Sequence, residues 1–151
     1  MSPEEQLAGF LAKYTPERVA ETEEVLAKMR ARFPHAIQMV YDNYNALVVG
    51  FGPTERPSEA IFSVAVFPDH VSLCLLQGAK QDLSDPHGLL RGGGTTVRHI
   101  RLQSADTLDE PAVRDLMDQS LERAEVPFSP ETPGKLVIRS ISAKQRPRRR
   151  A

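Results

Sequence analysis

The chain has 151 residues, of which 40% are hydrophobic and 26% charged, with one cysteine and a formal net charge of −1. That length suits one domain of about 100–150 residues, and the composition supports a packed core and excludes a wholly disordered chain. Cys74 alone excludes an internal disulfide framework, and no apolar run reaches the roughly 20 residues that span a bilayer.

The N-terminus, Met1-Ser2-Pro3-Glu4-Glu5, is acidic and lacks the basic-then-apolar layout of a secretory leader, so a cytoplasmic protein with no membrane partner is expected. Ser2-Pro3-Glu4-Glu5 carries the pattern of a capping box and predicts a first helix with Leu7, Phe10, Leu11 and Tyr14 on one face. Thr15-Pro16-Glu17-Arg18 starts a second, whose apolar stripe is Val19, Thr22, Leu26, Met29 and Phe33. Pro34 ends it.

From here the period changes. Ala36–Tyr41, Ala46–Phe51, Ile61–Phe67 and Val71–Leu76 are short runs rich in β-branched and aromatic residues, separated by turn residues, and read as four strands of a meander. A loop from Gln77 to Gly94 precedes a fifth strand, Thr96–Leu102; loops of that length tend to be functional or mobile. Asp109-Glu110-Pro111 opens a third helix, which buries Val113, Leu116, Met117, Ser120, Leu121 and Ala124. Residues 126–134 hold three prolines and read as a linker, Leu136-Val137-Ile138 reads as an added strand, and the end of the chain is expected to be disordered.

The reading is a two-layer α+β domain over residues 1–125: a helical pair, an antiparallel sheet of about five strands and a closing helix, then a linker (126–134) and a C-terminal strand with a basic tail (135–151). Alternation places Leu47, Val49 and Phe51, then Phe62, Val64 and Val66, then Val71, Leu73 and Leu75 on the helix-facing side. The opposite side carries mostly small residues: Ala46, Val48, Gly50, Ser63, Ala65, Ser72 and Cys74. The C-terminal segment, a second copy of the chain or a ligand could approach that face closely.

The net charge hides an asymmetry. Lys135 to Ala151 holds seven basic and no acidic residues, which leaves 12 basic and 20 acidic residues before it. Lys144, Arg146, Arg148, Arg149 and Arg150 could neutralise phosphates, which makes a nucleic-acid accessory role an alternative, although no aromatics interleave them. Arg91, Arg98 and Arg101 flank Gly92-Gly93-Gly94-Thr95-Thr96; no lysine and no helix follow it, so it is no P-loop, but guanidinium donors there suit a small anionic ligand. Tyr41, Asp42, Tyr44 and Asn45 form a polar cluster between two strands. Tyr41, Tyr44, Asn45, Arg91 and Arg98 are thus the candidate ligand-binding residues, with a small anion or a protein as partner. No nucleophile–base–orienter set is legible, so no catalytic residue and no enzyme activity is expected.

Tyr41-Asp42-Asn43-Tyr44-Asn45-Ala46-Leu47, Val66-Phe67-Pro68-Asp69-His70-Val71-Ser72-Leu73 and Gly92-Gly93-Gly94-Thr95-Thr96-Val97-Arg98-His99-Ile100-Arg101-Leu102, between a helical pair and a closing helix, resemble the YdhG-like family of small bacterial domains. The resemblance covers about residues 3–125. It implies a frataxin-like α+β sandwich. One branch of that family is described as an intracellular iron chaperone, so the resemblance makes iron the one cofactor to consider, where the residues alone suggest none. Glu17, Glu21 and Glu24, four and three apart on the second helix, are the carboxylates that an iron-binding role would use.

Overall fold

Ser2 closes a capping box: its Oγ accepts from the Glu5 amide (3.1 Å) and the Glu5 carboxylate accepts from the Ser2 amide (3.2 Å). This starts α1 (Pro3–Leu11). Thr15 Oγ1 accepts from the Arg18 amide at 3.3 Å and starts α2 (Pro16–Arg32), which buries Thr22, Val25, Leu26 and Met29. The computed structural model describes residues 1–150; Ala151, the end of the expected tail, lies outside the described residues. The strands are β1 (Ile37–Asp42), β2 (Leu47–Gly52), β3 (Phe62–Val66), β4 (Val71–Leu75), β5 (Arg98–Leu102) and β6 (Lys135–Ile141), with α3 (Pro111–Glu122) between the last two.

These form a two-layer α+β fold around one six-stranded sheet, in the order β5-β4-β3-β2-β1-β6. The first four strands are an antiparallel meander, as the turn residues predict, and after the long loop β5 pairs antiparallel with β4. The sixth departs from the expected antiparallel sheet: β6 runs parallel to β1, with a register shift between Val40 and Tyr41. The physical reason is the connection. From β5 the chain crosses the helical layer through α3 and residues 126–134, and a crossover of that length delivers a strand in the parallel sense. β6 therefore belongs to the same sheet as residues 1–125. Among the described residues no helix is long and apolar enough to cross a membrane.

The inner face is the one alternation predicts. Leu47, Val49, Phe51, Phe62, Val64, Val66, Val71, Leu73 and Leu75 are fully buried, and Leu102, Leu108, Leu116 and Met117 join their cluster. The outer face has Gly50, Ser63, Cys74 and His99 in one row and Val48, Ala65, Ser72 and Arg101 in the next. A Cβ on Gly50 would meet only main-chain oxygens, those of Met39 at 3.6 Å and Phe62 at 4.0 Å, so no side chain lies over it. The C-terminal segment does not cover this face; it extends the sheet at the β1 edge.

The described part of the C-terminal tail, up to residue 150, is held by hydrogen bonds where disorder was expected. After β6 it folds back along the β1–β2 turn: the Ser142 amide donates to the Asp42 carbonyl (2.9 Å) and the Arg146 amide to the Tyr44 carbonyl (2.8 Å). The long loop after β4 is also tied down. The Gln81 side chain exchanges hydrogen bonds with Ser120 at 2.7 and 3.1 Å. Asp85 accepts the Leu89 and Leu90 amides at 2.9 Å each, and Arg91 forms a β-bridge with His99.

Candidate functional site: a polar cleft at the end of β5

β5 is an edge strand, and only part of its edge is covered. The Arg91 amide donates to the His99 carbonyl (2.8 Å) and the His99 amide returns the bond (2.9 Å). Main-chain groups alternate direction along a strand, so two residues on, the Arg101 amide and carbonyl point to the same edge, past the end of the bridge. There a cleft of about 700 Å³ opens. Glu17, Arg18 and Glu21 of α2 line it, as do Asp69 and His70 of the β3–β4 turn, Ile100 to Gln103 of β5, Leu89 and Arg91 of the loop, and Thr107, Glu110 and Val113.

Some of these side chains are already engaged. Arg18 pairs with Glu21 and donates from Nε to the Pro68 carbonyl at 3.4 Å. His70 is oriented twice, by a 2.8 Å bond between Nδ1 and Asp69 and by stacking on Phe67 at 4.6 Å between centroids and 9° between planes. Asp69 also accepts from Arg150 at 2.6 Å. The bond with His70, aided by the Arg150 charge, holds its carboxyl below the usual range against partial burial. Thr107 Oγ1 accepts the Gln103 and Ser104 amides. Others are not engaged: among the described residues Arg101, Glu17 and Glu110 have no side-chain partner, and Arg91 gives only Nη1, to the Gly88 carbonyl at 2.8 Å. Arg91 and Arg101, neither with a carboxylate partner among the described residues, thus line the cleft, Arg101 from the outer-face side of the β5 edge, together with the unpaired Glu17 and Glu110. Such a site can take an anionic group by charge-assisted hydrogen bonds and an amine or hydroxyl by the carboxylates.

The five residues expected to bind a ligand are not brought together. Arg91 lines the cleft. Arg98 closes the glycine loop, donating from Nη1 to the Gly94 (2.7 Å) and Val97 (2.9 Å) carbonyls. Tyr41 lies on the outer sheet face with its hydroxyl 3.9 Å from Met39 Sδ. Tyr44 and Asn45 are exposed at the β1–β2 turn, beside the tail. Of the three α2 carboxylates, Glu17 and Glu21 line the cleft and Glu24 does not. Among the described residues no three of His, Cys, Asp and Glu converge as a metal site. Cys74 sits on the outer face, where burial pushes its thiol up.

The tail supplies a feature that sequence reasoning missed. Asp42 is fully buried, and two cations converge on its carboxylate: Lys13 Nζ at 2.5 Å and Arg148 Nη2 at 3.0 Å. Burial pushes this carboxyl up, but hydrogen bonding to Lys13, Gln145 and Arg148 outweighs it and leaves the group below the ordinary range. Arg148 is only 5% exposed, also donates to the Asn43 (2.5 Å) and Tyr44 (3.4 Å) carbonyls, and lies over the Tyr14 ring. A signal was there to read: Asp42 follows Val40 by two residues, which puts a carboxylate on the apolar face, where a charge needs a partner. Arg101 carried a signal in its place beside the glycine run, whereas Arg18 and Glu110 of the cleft had none, because the fold alone brings them to it. No family model, no curated protein and no solved structure matches the chain.

Proposed function

We propose that the protein is a ligand-binding domain on a YdhG-like α+β scaffold, and that it takes a small anionic molecule in the cleft at the end of β5. The observation that carries this reading is the pair Arg91 and Arg101, both lining one cleft and neither bound to a carboxylate. The anionic group of the ligand, a carboxylate or a phosphate, meets these guanidiniums. Glu17 and Glu110 meet its donors, which favours a ligand that carries an amine or hydroxyl as well. Binding here requires no covalent chemistry and no resident cofactor.

The test is a thermal-shift panel of amino acids, hydroxy acids, dicarboxylates and phosphate monoesters, with ferrous iron as a separate arm for the chaperone alternative. At a ligand concentration of about 100 Kd the stabilisation is about 2.7 kcal/mol, or roughly 5–10 °C for a domain of this size. Arg101→Ala and Arg91→Ala each remove the shift, while the ligand-free protein stays within about 0.5 kcal/mol of wild type because both side chains are exposed. A shift that survives both substitutions overturns the assignment to this cleft. A shift with iron alone, lost in Glu17→Gln and Glu21→Gln, favours the chaperone reading instead.

A further inference from the structure

The buried Arg148 fixes its neighbours in place. With that guanidinium locked on Asp42, Arg146, Arg149 and Arg150 are held exposed around a second cavity, of about 690 Å³. Its other walls are Asn45, Phe67, Pro68, Asp69 and Pro147. Arg150 is paired with Asp69 at 2.6 Å. Arg146 and Arg149 have no carboxylate partner among the described residues: Arg149 Nε donates to the Lys13 carbonyl at 3.2 Å, and Arg146 lies over the Tyr44 ring at 5.7 Å. Tyr44 is 48% exposed, the most exposed aromatic side chain of the domain. The sequence lacks aromatics within the basic run; the fold brings two beside it, Phe67 of the β3–β4 turn in the cavity wall and Tyr44 of the β1–β2 turn outside that wall, next to Asn45 and under Arg146.

We propose that this end of the molecule binds a nucleoside phosphate, as a free nucleotide or as a unit of a single strand, with the phosphate on Arg146 and Arg149 and the base on the Tyr44 ring. Planar guanidiniums match phosphate oxygens in pairs, and an exposed aromatic face accepts any base by stacking. Charge favours an anion: Lys13, Arg146, Arg148, Arg149 and Arg150 gather here, and among the described residues Asp42 and Asp69 are the carboxylates paired to them. This site is distinct from the cleft at β5, although Asp69 lines both.

The test uses the full chain in fluorescence anisotropy with labelled short oligothymidine and oligoadenine strands. Unlabelled mononucleotide, duplex DNA, inorganic pyrophosphate and heparin serve as competitors. The expected result is saturable binding that weakens about 7-fold from about 50 to about 200 mM salt, as about two phosphate contacts on a single strand imply. Arg146→Ala with Arg149→Ala lowers affinity at least about 10-fold, and Tyr44→Ala lowers it about 10-fold for the oligonucleotide but not for pyrophosphate. Competition by mononucleotide at similar affinity assigns the site to a free nucleotide; competition only by longer strands assigns it to a single strand. No binding at low salt overturns the proposal. So does binding indifferent to the double arginine substitution, or binding that Tyr44→Ala leaves unchanged and heparin displaces as well as DNA does, which marks a merely basic surface. An unchanged melting temperature of the variants separates loss of binding from loss of the tail, and the β5 cleft is scored independently by Arg101→Ala.

Discussion

Replacing Asp42 by Asn removes a buried charge on which two cations converge. Asp42 is fully buried and Arg148 is 5% exposed, so the substitution leaves a guanidinium in the interior with neutral acceptors alone, the Asn43 and Tyr44 carbonyls and the new amide oxygen. Removing one partner of a buried charge pair costs about 3–5 kcal/mol. The lower end applies here, because the Lys13 side chain is 40% exposed and keeps its 2.6 Å bond to Gln145. About 3 kcal/mol corresponds to a fall of roughly 6–12 °C in melting temperature for a domain of this length. Arg148→Met costs less, about 1–2 kcal/mol, since Lys13 still neutralises Asp42 and the substitution also deletes a buried Nε–H that has no acceptor. The sign with pH follows from the depressed Asp42 carboxyl. Its contribution is fully present above the unfolded value of about 3.9 and is lost as pH falls through the lower folded value. Calorimetry at neutral pH and at steps into the acid range checks both: the gap between wild type and Asp42→Asn is widest at neutral pH and closes in acid. A gap below about 2 °C at neutral pH, or one that persists unchanged in acid, refutes the reasoning.

Tyr14→Phe removes a hydroxyl that donates to the Val66 carbonyl (2.7 Å) and accepts from the Leu47 amide (3.2 Å), both buried. Urea denaturation should show a loss of about 1–3 kcal/mol. Gly134→Ala places a Cβ against the Pro34 carbonyl oxygen where β6 begins, main chain against main chain. It should cost about 1–3 kcal/mol by the same assay, and deuterium exchange should show the loss concentrated in β6.

The layers were legible because period and punctuation are local properties. The Ser2 and Thr15 caps, the apolar stripe of α2 and the two strand faces all follow from residues a few positions apart. What was not legible depends on where distant segments meet. The direction of β6 is set by the crossover through α3, not by Leu136-Val137-Ile138 itself. The tail looked like a solvated charge run because its one buried member, Arg148, is chemically identical to the three exposed arginines beside it; only the position of Asp42 tells them apart. Tyr41, Tyr44 and Asn45 are neighbours in sequence, yet the pleat puts Tyr41 on the sheet face and the turn puts the other two at its end. Arg91 reaches the cleft only through its bridge to His99, a single pair of hydrogen bonds that no periodicity announces.

The same topology sorts charge in a way that composition conceals. The β1–β2 turn, the β3–β4 turn and the C-terminal end of β5 all lie at one end of the meander. The tail returns to that end, and among the described residues Asp42 and Asp69 are the only carboxylates its arginines engage. Arg146 and Arg149 are left over on one side of the Phe67–His70 turn, and Arg91 and Arg101 on the other. Elsewhere the helices keep their acidic character, with Glu4, Glu5, Glu23 and Glu24 exposed. A chain of net charge −1 therefore gathers its tail arginines at one end, where the local field and not the total charge acts on whatever approaches. Net charge alone conceals the sign of the charge that the tail brings to that end.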